Sequence, residues 1–331
     1  EEGGEGDGAE PEAEAEADAE NDDAADGGGR RRLQSTINQG YVIQDVGCKK
    51  QQMKVYFENN GAGSQVPKRV APSENQLVKC LNNIKDCDMD AYQASQKLTG
   101  LRRMRAQETS TQSQAEMGGK RRFKTCAIVG NAGFMLNHKL GQYIDSHEVV
   151  VRFNVMDVGG FTESVGSKTT FRMLNHQRST TGCCRGKLPE NSTNSNPITV
   201  LLWHPGAQED IASECKKRYP DNKVVGLSRG FIQKEVSVMR SLRMDMQKLG
   251  FGPFSSWRQL TTGAHAVLLF ERLCDTVSVY GISAYGFKGP DQYAGRDKRS
   301  TGGRQWHDWK GESLVYRLLH ASGRMSLCTV A

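Results

Sequence analysis

From residue 125 onward, short continuous apolar runs alternate with stretches whose apolar positions recur every three or four residues. Cys126-Ala127-Ile128-Val129 is the first run. Met135, Leu136, Leu140, Tyr143 and Ile144 follow at helical spacing, then Val149-Val150-Val151, which ends in Arg152-Phe153-Asn154. Further on, strands are predicted at 171–174, 198–203, 223–227 and 277–280. Helices are predicted at 207–219, 231–249, 266–273 and 313–320. The stripe Ile232, Val236, Met239, Leu242, Met246 and Leu249 reads as core packing. Strands alternating with helices predict an α/β protein, a three-layer α/β/α fold with a mostly parallel Rossmann-like sheet.

The first run is cut off by Gly130-Asn131-Ala132-Gly133. A glycine turn between a strand and a helix lets backbone N–H groups approach an anion at the helix head. The turn is not a dinucleotide fingerprint, because Asn131-Ala132 interrupts GxGxxG and no acidic residue ends the second strand. An NADP-type Rossmann oxidoreductase stays open on that turn and on Arg152.

Composition divides the chain. Residues 1–29 hold thirteen acidic residues and no basic ones, so they are expected to be a disordered acidic tether. All 44 Lys and Arg and 25 of the 38 acidic residues lie beyond it, which leaves the remainder at +19 instead of the overall +6. A surface that basic suits a nucleotide-sugar, an anionic membrane or nucleic acid. Residues 30–119, with only short helical stretches such as Asp90–Leu101, read as a stem or variable region, and residues 120–331 as the catalytic domain. Asp86-Cys87-Asp88-Met89-Asp90 fails the EF-hand pattern and precedes a helix, so capping is the better reading than metal binding. Nine cysteines without a CxxC pair disfavour a zinc ribbon. Asn191-Ser192-Thr193 is a glycosylation sequon, consistent with a lumenal protein.

Three blocks then fit one family. Cys126 through Arg152-Phe153-Asn154, Gly160-Phe161 and Val165–Thr170 resembles the long sialylmotif of the eukaryotic sialyltransferases. Leu260-Thr261-Thr262-Gly263-Ala264, an apolar helix, Cys274-Asp275 and Val277–Gly281 resembles the short motif. His307-Asp308-Trp309-Lys310-Gly311-Glu312 resembles the very short one. An algal or plant-type member is one expectation. The tyrosine block between the last two survives only as Tyr293 in Asp291-Gln292-Tyr293-Ala294, without the usual histidine.

The resemblance implies a GT-A-like variant fold and an inverting, metal-independent glycosyltransferase. It would move sialic acid, or the related acid sugar Kdo, from a CMP-activated donor to a glycan hydroxyl. It implies His307 as general base with Glu312 in support. Gly130, Asn131, Asn154, Thr261, Thr262, Gly263 and Tyr293 would bind the donor, and Cys126 would pair with Cys274. It also implies no metal and no cofactor beyond the CMP-sugar. The partners would be the donor and a glycoprotein or glycolipid acceptor, not nucleic acid. The place would be the Golgi membrane, single-pass type II, through an N-terminal anchor outside this sequence. His138, His147, His176, His204, His265 and His320 are read as surface or packing residues. A CMP-sugar or glycan-binding relative with impaired catalysis is the alternative, favoured by the altered Tyr293 block.

Overall fold

A computed structural model describes residues 37–46, 49–58, 72–108, 123–189, 197–204, 208–254, 259–285, 290, 292–294 and 307–329. The acidic stretch 1–29 and the sequon at Asn191 lie outside the described residues. Ile37–Val46 (β1) and Lys49–Glu58 (β2) pair antiparallel, with Ile37 opposite Glu58 and Val46 opposite Lys49. Only short helices were expected here; Tyr41-Val42-Ile43 and Val55-Tyr56-Phe57 carry the β preference of β-branched and aromatic residues.

Helices α1 (Pro72–Asn82), α2 (Met89–Gln96) and α3 (Thr99–Glu108) follow. Asp88 caps α2 through the Ala91 N–H at 2.9 Å, a local job that explains an acidic residue before a helix. The single helix expected over Asp90–Leu101 is broken in two. α2 ends at Gln96 and α3 begins at Thr99; in the first turn of α3, Gly100 is pressed against Ser241 and Asp245, where a Cβ has no room, and its N–H donates to the Asp245 carboxylate. Cys80 and Cys87 form a disulfide with Cα atoms 4.3 Å apart.

The sheet starts at Phe123–Val129 (β3). Its strands, in chain order, are Val149–Phe153 (β4), Phe171–Leu174 (β5), Thr199–Leu202 (β6), Lys223–Gly226 (β7), Cys274–Tyr280 (β8) and Ser326–Leu327 (β9). They lie in the order β7-β6-β5-β4-β3-β8-β9, and every pairing is parallel. Parallel strands need crossovers, and helices supply them: α4 (Gly141–Asp145), α5 (Thr162–Val165), α6 (His176–Thr180), α7 (Gln208–Arg218), α8 (Arg229–Lys248), α9 (Thr262–Leu273) and α10 (Trp309–Ala321). The helical spacing over 135–144 resolves into a 3₁₀ turn, Gly133–Asn137, and the short α4.

Side chains along the central strands alternate between two cores, as the two-residue period requires. Cys126, Ile128, Val149, Val151, Phe153 and Met173 face α1–α3 and α8–α10. Ala127, Val129, Val150 and Tyr280 face the opposite layer with Phe134, Ile144 and Val165. Leu174, Val200 and Leu202 extend that second layer with Ile211 and Tyr219. Each fully buried Leu, Ile or Phe contributes about 1.5–3 kcal/mol. Helices α1–α3 share the first core with the sheet, so residues 72–108 pack as part of the α/β unit. The Cys126–Cys274 disulfide ties β3 to β8, with Cα atoms 6.1 Å apart. A third disulfide joins Cys183 to Cys215, Cα atoms 4.6 Å apart. Among the described residues, no helix is long and apolar enough to cross a membrane.

Candidate active site

The chain steps outward from β3 through β4, β5 and β6 to β7, then returns to place β8 on the other flank of β3. Such a reversal opens a crevice over the carboxyl ends of the strands, the usual ligand position in an open α/β sheet. Gly130 leaves β3 and Gly281 leaves β8 at that point. Gly130 N–H donates to the Tyr280 carbonyl at 2.7 Å, and Ala132 N–H donates to the Gly281 carbonyl at 3.2 Å. A Cβ on Gly130 would run into the Gly281 carbonyl and Ile282, and Gly281 holds φ +64°, so both positions favour glycine for steric reasons. Ile282 also borders Gly263, 3.7 Å from where a Cβ there would stand. The two glycine turns, 133 positions apart in sequence, flank one side chain.

Asn131 and Tyr293 meet through the backbone, Tyr293 N–H donating to the Asn131 carbonyl at 2.8 Å. The Tyr293 ring is buried edge-on against Phe161, with centroids 5.4 Å apart. Asn154 ends β4 at φ +54°, a left-handed conformation that asparagine tolerates better than most residues. Its Oδ1 accepts the Asn175 N–H at 3.0 Å and so joins the ends of β4 and β5.

The head of α9 is held from behind. Thr261 caps the helix through the Ala264 N–H at 3.0 Å. Its own N–H donates to Glu312 Oε1 at 2.9 Å, and its hydroxyl is 2.5 Å from Glu312 Oε2. Tyr316 donates to the same carboxyl at 3.3 Å, and Trp203 Nε1 donates to Thr262 Oγ1 at 3.2 Å. Glu312 on α10 therefore fixes the short-motif turn. The positive end of α9, with the Thr262 and Gly263 N–H groups, faces the crevice.

Burial raises the Glu312 carboxyl to about 7, with the Thr261 hydrogen bonds opposing the rise. A carboxyl whose folded pKa exceeds its unfolded value binds more protons in the native state between those two values. Stability on its account thus falls as pH rises from about 4.5 to about 7, by no more than roughly 3 kcal/mol. Glu312→Gln, which resembles the protonated form, is expected to flatten that part of the pH–stability curve. Urea melts at pH 5 and pH 7.5 check it, and equal slopes in the two proteins would refute the assignment.

His307 sits two residues before α10. Its Nδ1 is 2.8 Å from the Gln259 carbonyl, which can only accept, so Nδ1 carries the hydrogen and Nε2 keeps its lone pair. Burial lowers its pKa, against the raising effect of that hydrogen bond. Gln259 stands two residues before Thr261, so the imidazole is placed beside the α9 head. Asp308 caps α10 through the Gly311 N–H at 3.0 Å and pairs with Arg243 of α8 at 2.7 Å in a buried ion pair.

Sequence reasoning gave no role to Arg243, Asp308, Trp203 or Glu235; Glu235 pairs at 2.6 Å with His265, which was read as a surface or packing residue and is buried, its ring tilted 4.4 Å from Trp203. A signal was present for two of them: Glu235 and Arg243 interrupt the apolar stripe of α8 at Met239 minus and plus four. His176 and His265 are buried. Burial, with His176 and His265 as neighbours, pushes His204 down to about 3. Arg152 is buried, bonding the carbonyls of Val165 and Lys168 and the Thr169 hydroxyl, so it does not reach out for a ligand phosphate.

Comparison with known proteins identifies the family. A relative named beta-galactoside alpha-2,6-sialyltransferase 2, from Danio rerio, is 31% identical over 169 residues, 47% of this chain and 31% of its own length. Beta-1,6-galactosyltransferase GALT29A from Arabidopsis thaliana is 30% identical over 217 residues, 61% of this chain and 52% of its own. The chain thus spans about a third to a half of these relatives. A crystal structure of a mammalian sialyltransferase with Gal-beta-1-3GalNAc-ortho-nitrophenol superposes with TM-score 0.45 at 18% identity, over 80% of this chain and 88% of the other. The profile described as glycosyltransferase family 29 (sialyltransferase) matches residues 70–324, from α1 to the turn after α10, and the chain belongs to that family.

Proposed function

We propose that the protein is an inverting glycosyltransferase that moves sialic acid, or the related Kdo, from its CMP-activated form to a hydroxyl of a glycan. The observation that carries this reading is His307, tautomerically fixed by the Gln259 carbonyl beside the α9 head. In the step, the acceptor oxygen forms a bond to the anomeric carbon and gives its proton to His307 Nε2. The bond from that carbon to the phosphate oxygen breaks on the opposite face, and CMP leaves with the electron pair. Asn131, Asn154 and Tyr293 hold the nucleotide, and the N–H groups at Thr262 and Gly263 meet its phosphate. Thr261 acts through its cap and its bond to Glu312, which positions the turn. Charge on the leaving group is met by these fixed donors, with no metal required. The reading places the enzyme in the Golgi lumen on a type II anchor.

Incubation with CMP-sialic acid and a panel of glycan acceptors tests it: sialylated product and free CMP should appear in equal amounts. CMP binding without product would favour the binding relative with impaired catalysis. The oxidoreductase alternative loses one of its two supports, because Arg152 is turned into the protein.

One of the two relatives described above is a galactosyltransferase by name. UDP-galactose belongs in the same panel, and product from it alone would replace the acid-sugar donor.

A further inference from the structure

The large exposed apolar side chains among the described residues are Met89, Tyr92, Leu136, Tyr143, Met244 and Trp309. Of these, Trp309 is in ring contact with the proposed base. It is 56% exposed at the first position of α10. Its ring meets the His307 imidazole edge-on, centroids 5.3 Å apart and planes at 76°. An indole left in water forgoes more apolar burial than any other side chain, and α10 buries Leu314, Val315, Leu318 and Leu319 on the core. Among the described residues, the indole's ring contact is with His307 alone, and no core packing explains its place.

We propose that Trp309 is the platform on which the acceptor sugar stacks, holding its ring while His307 takes the proton of the attacking hydroxyl. The inference rests on the glycosyl-transfer reading above. With Nδ1 held by Gln259, the acceptor hydroxyl must come within about 2.6–3.2 Å of Nε2. The pyranose bearing that hydroxyl then lies within van der Waals reach of the indole. A galactose-type ring suits it, because its axial 4-hydroxyl leaves the C–H bonds at positions 3, 4 and 5 together on one face. That face is apolar, and its slightly positive hydrogens meet the negative face of the indole.

Steady-state kinetics with CMP-sialic acid and N-acetyllactosamine test the proposal. Trp309→Ala should raise the acceptor KM by tenfold or more while the donor KM stays within twofold, and Trp309→Phe should recover most of the loss. Saturation-transfer NMR with methyl β-D-galactoside supplies a readout that needs no turnover. Hydrogens 3, 4 and 5 should receive the strongest transfer in the wild type and lose it in Trp309→Ala. A donor KM that rises in parallel would make Trp309 a structural residue of α10 and overturn the proposal. Galactoside spectra identical in wild type and Trp309→Ala, or empty in both, would overturn it as well. If the wild type shows galactoside stacking but no turnover of any donor, the glycosyl-transfer reading fails while the platform stands.

Discussion

Replacing His307 with alanine is expected to lower sugar transfer by roughly 100-fold or more and to leave CMP affinity within a few-fold of wild type. The two effects separate because the groups proposed to hold CMP belong to the strand ends and the α9 head, while His307 contributes its Nε2 lone pair. Burial holds the imidazole below its ordinary pKa, so the neutral form predominates at pH 7. Catalysis by a neutral base rises with pH through that lowered value and levels off above it. In Glu312→Gln the plateau should persist, since the proton acceptor is untouched. His320→Ala serves as control; its ring accepts the Leu327 N–H at 3.4 Å, on β9. A His307→Ala protein with near-full transferase activity would remove the base assignment and favour a binding module.

A comparably large effect on stability is expected at the neighbouring residue. Asp308→Ala should lower unfolding free energy by about 3–5 kcal/mol, because it strips the carboxylate from a buried Arg243. Loss of the α10 cap accounts for about 1 kcal/mol of that. Asp308→Asn can still cap the helix and should fall between Ala and wild type. Arg243→Met combined with Asp308→Asn should recover much of the difference, since removing both charges removes the desolvation problem. Denaturant midpoints at fixed pH measure all three, and a loss below about 1 kcal/mol for Asp308→Ala would mean that the pair is not buried in solution.

Strands β3 to β8 were legible because each is a short apolar run closed by a glycine, an asparagine or a polar loop. Val149–Phe153 and Phe171–Leu174 are of this kind. The two-residue β9 carries no such run and was missed. The β1–β2 hairpin was missed because its β-prone residues are interleaved with Gln, Lys and Gly, which dilute a period-two signal. The break between α2 and α3 was also illegible. α3 starts afresh at Thr99, where the Gly100 N–H donates to Asp245, a contact 145 residues away that no local pattern records. The same holds at the site. Thr261, Thr262, His307 and Glu312 could be picked out as chemically capable. That Glu312 turns inward to grip Thr261, and His307 turns to Gln259, depends on how α10 lies against α9. Arg243 and Glu235 did leave a trace, as charges on an otherwise apolar helix face. A buried charge at such a position asks for a partner, and the partners are Asp308 and His265.

The crevice exists only where β3 and β8 lie side by side, with Phe123 opposite Cys274. Closing a chain segment of that length costs entropy that only the completed sheet returns, which is the signature of a high contact order and slow folding. On the proposed donor site, a fragment spanning the first block alone should not hold a nucleotide, because half of the glycine floor arrives with β8. Occupancy of the crevice is therefore thermodynamically linked to the whole fold. A ligand present at 100 times its dissociation constant should add about 2.7 kcal/mol to global unfolding, and not merely quiet a loop. A thermal-shift screen of nucleotides and nucleotide-sugars can use this linkage, since the melting temperature itself reports whether the proposed site accepts a nucleotide, and with which base and phosphate.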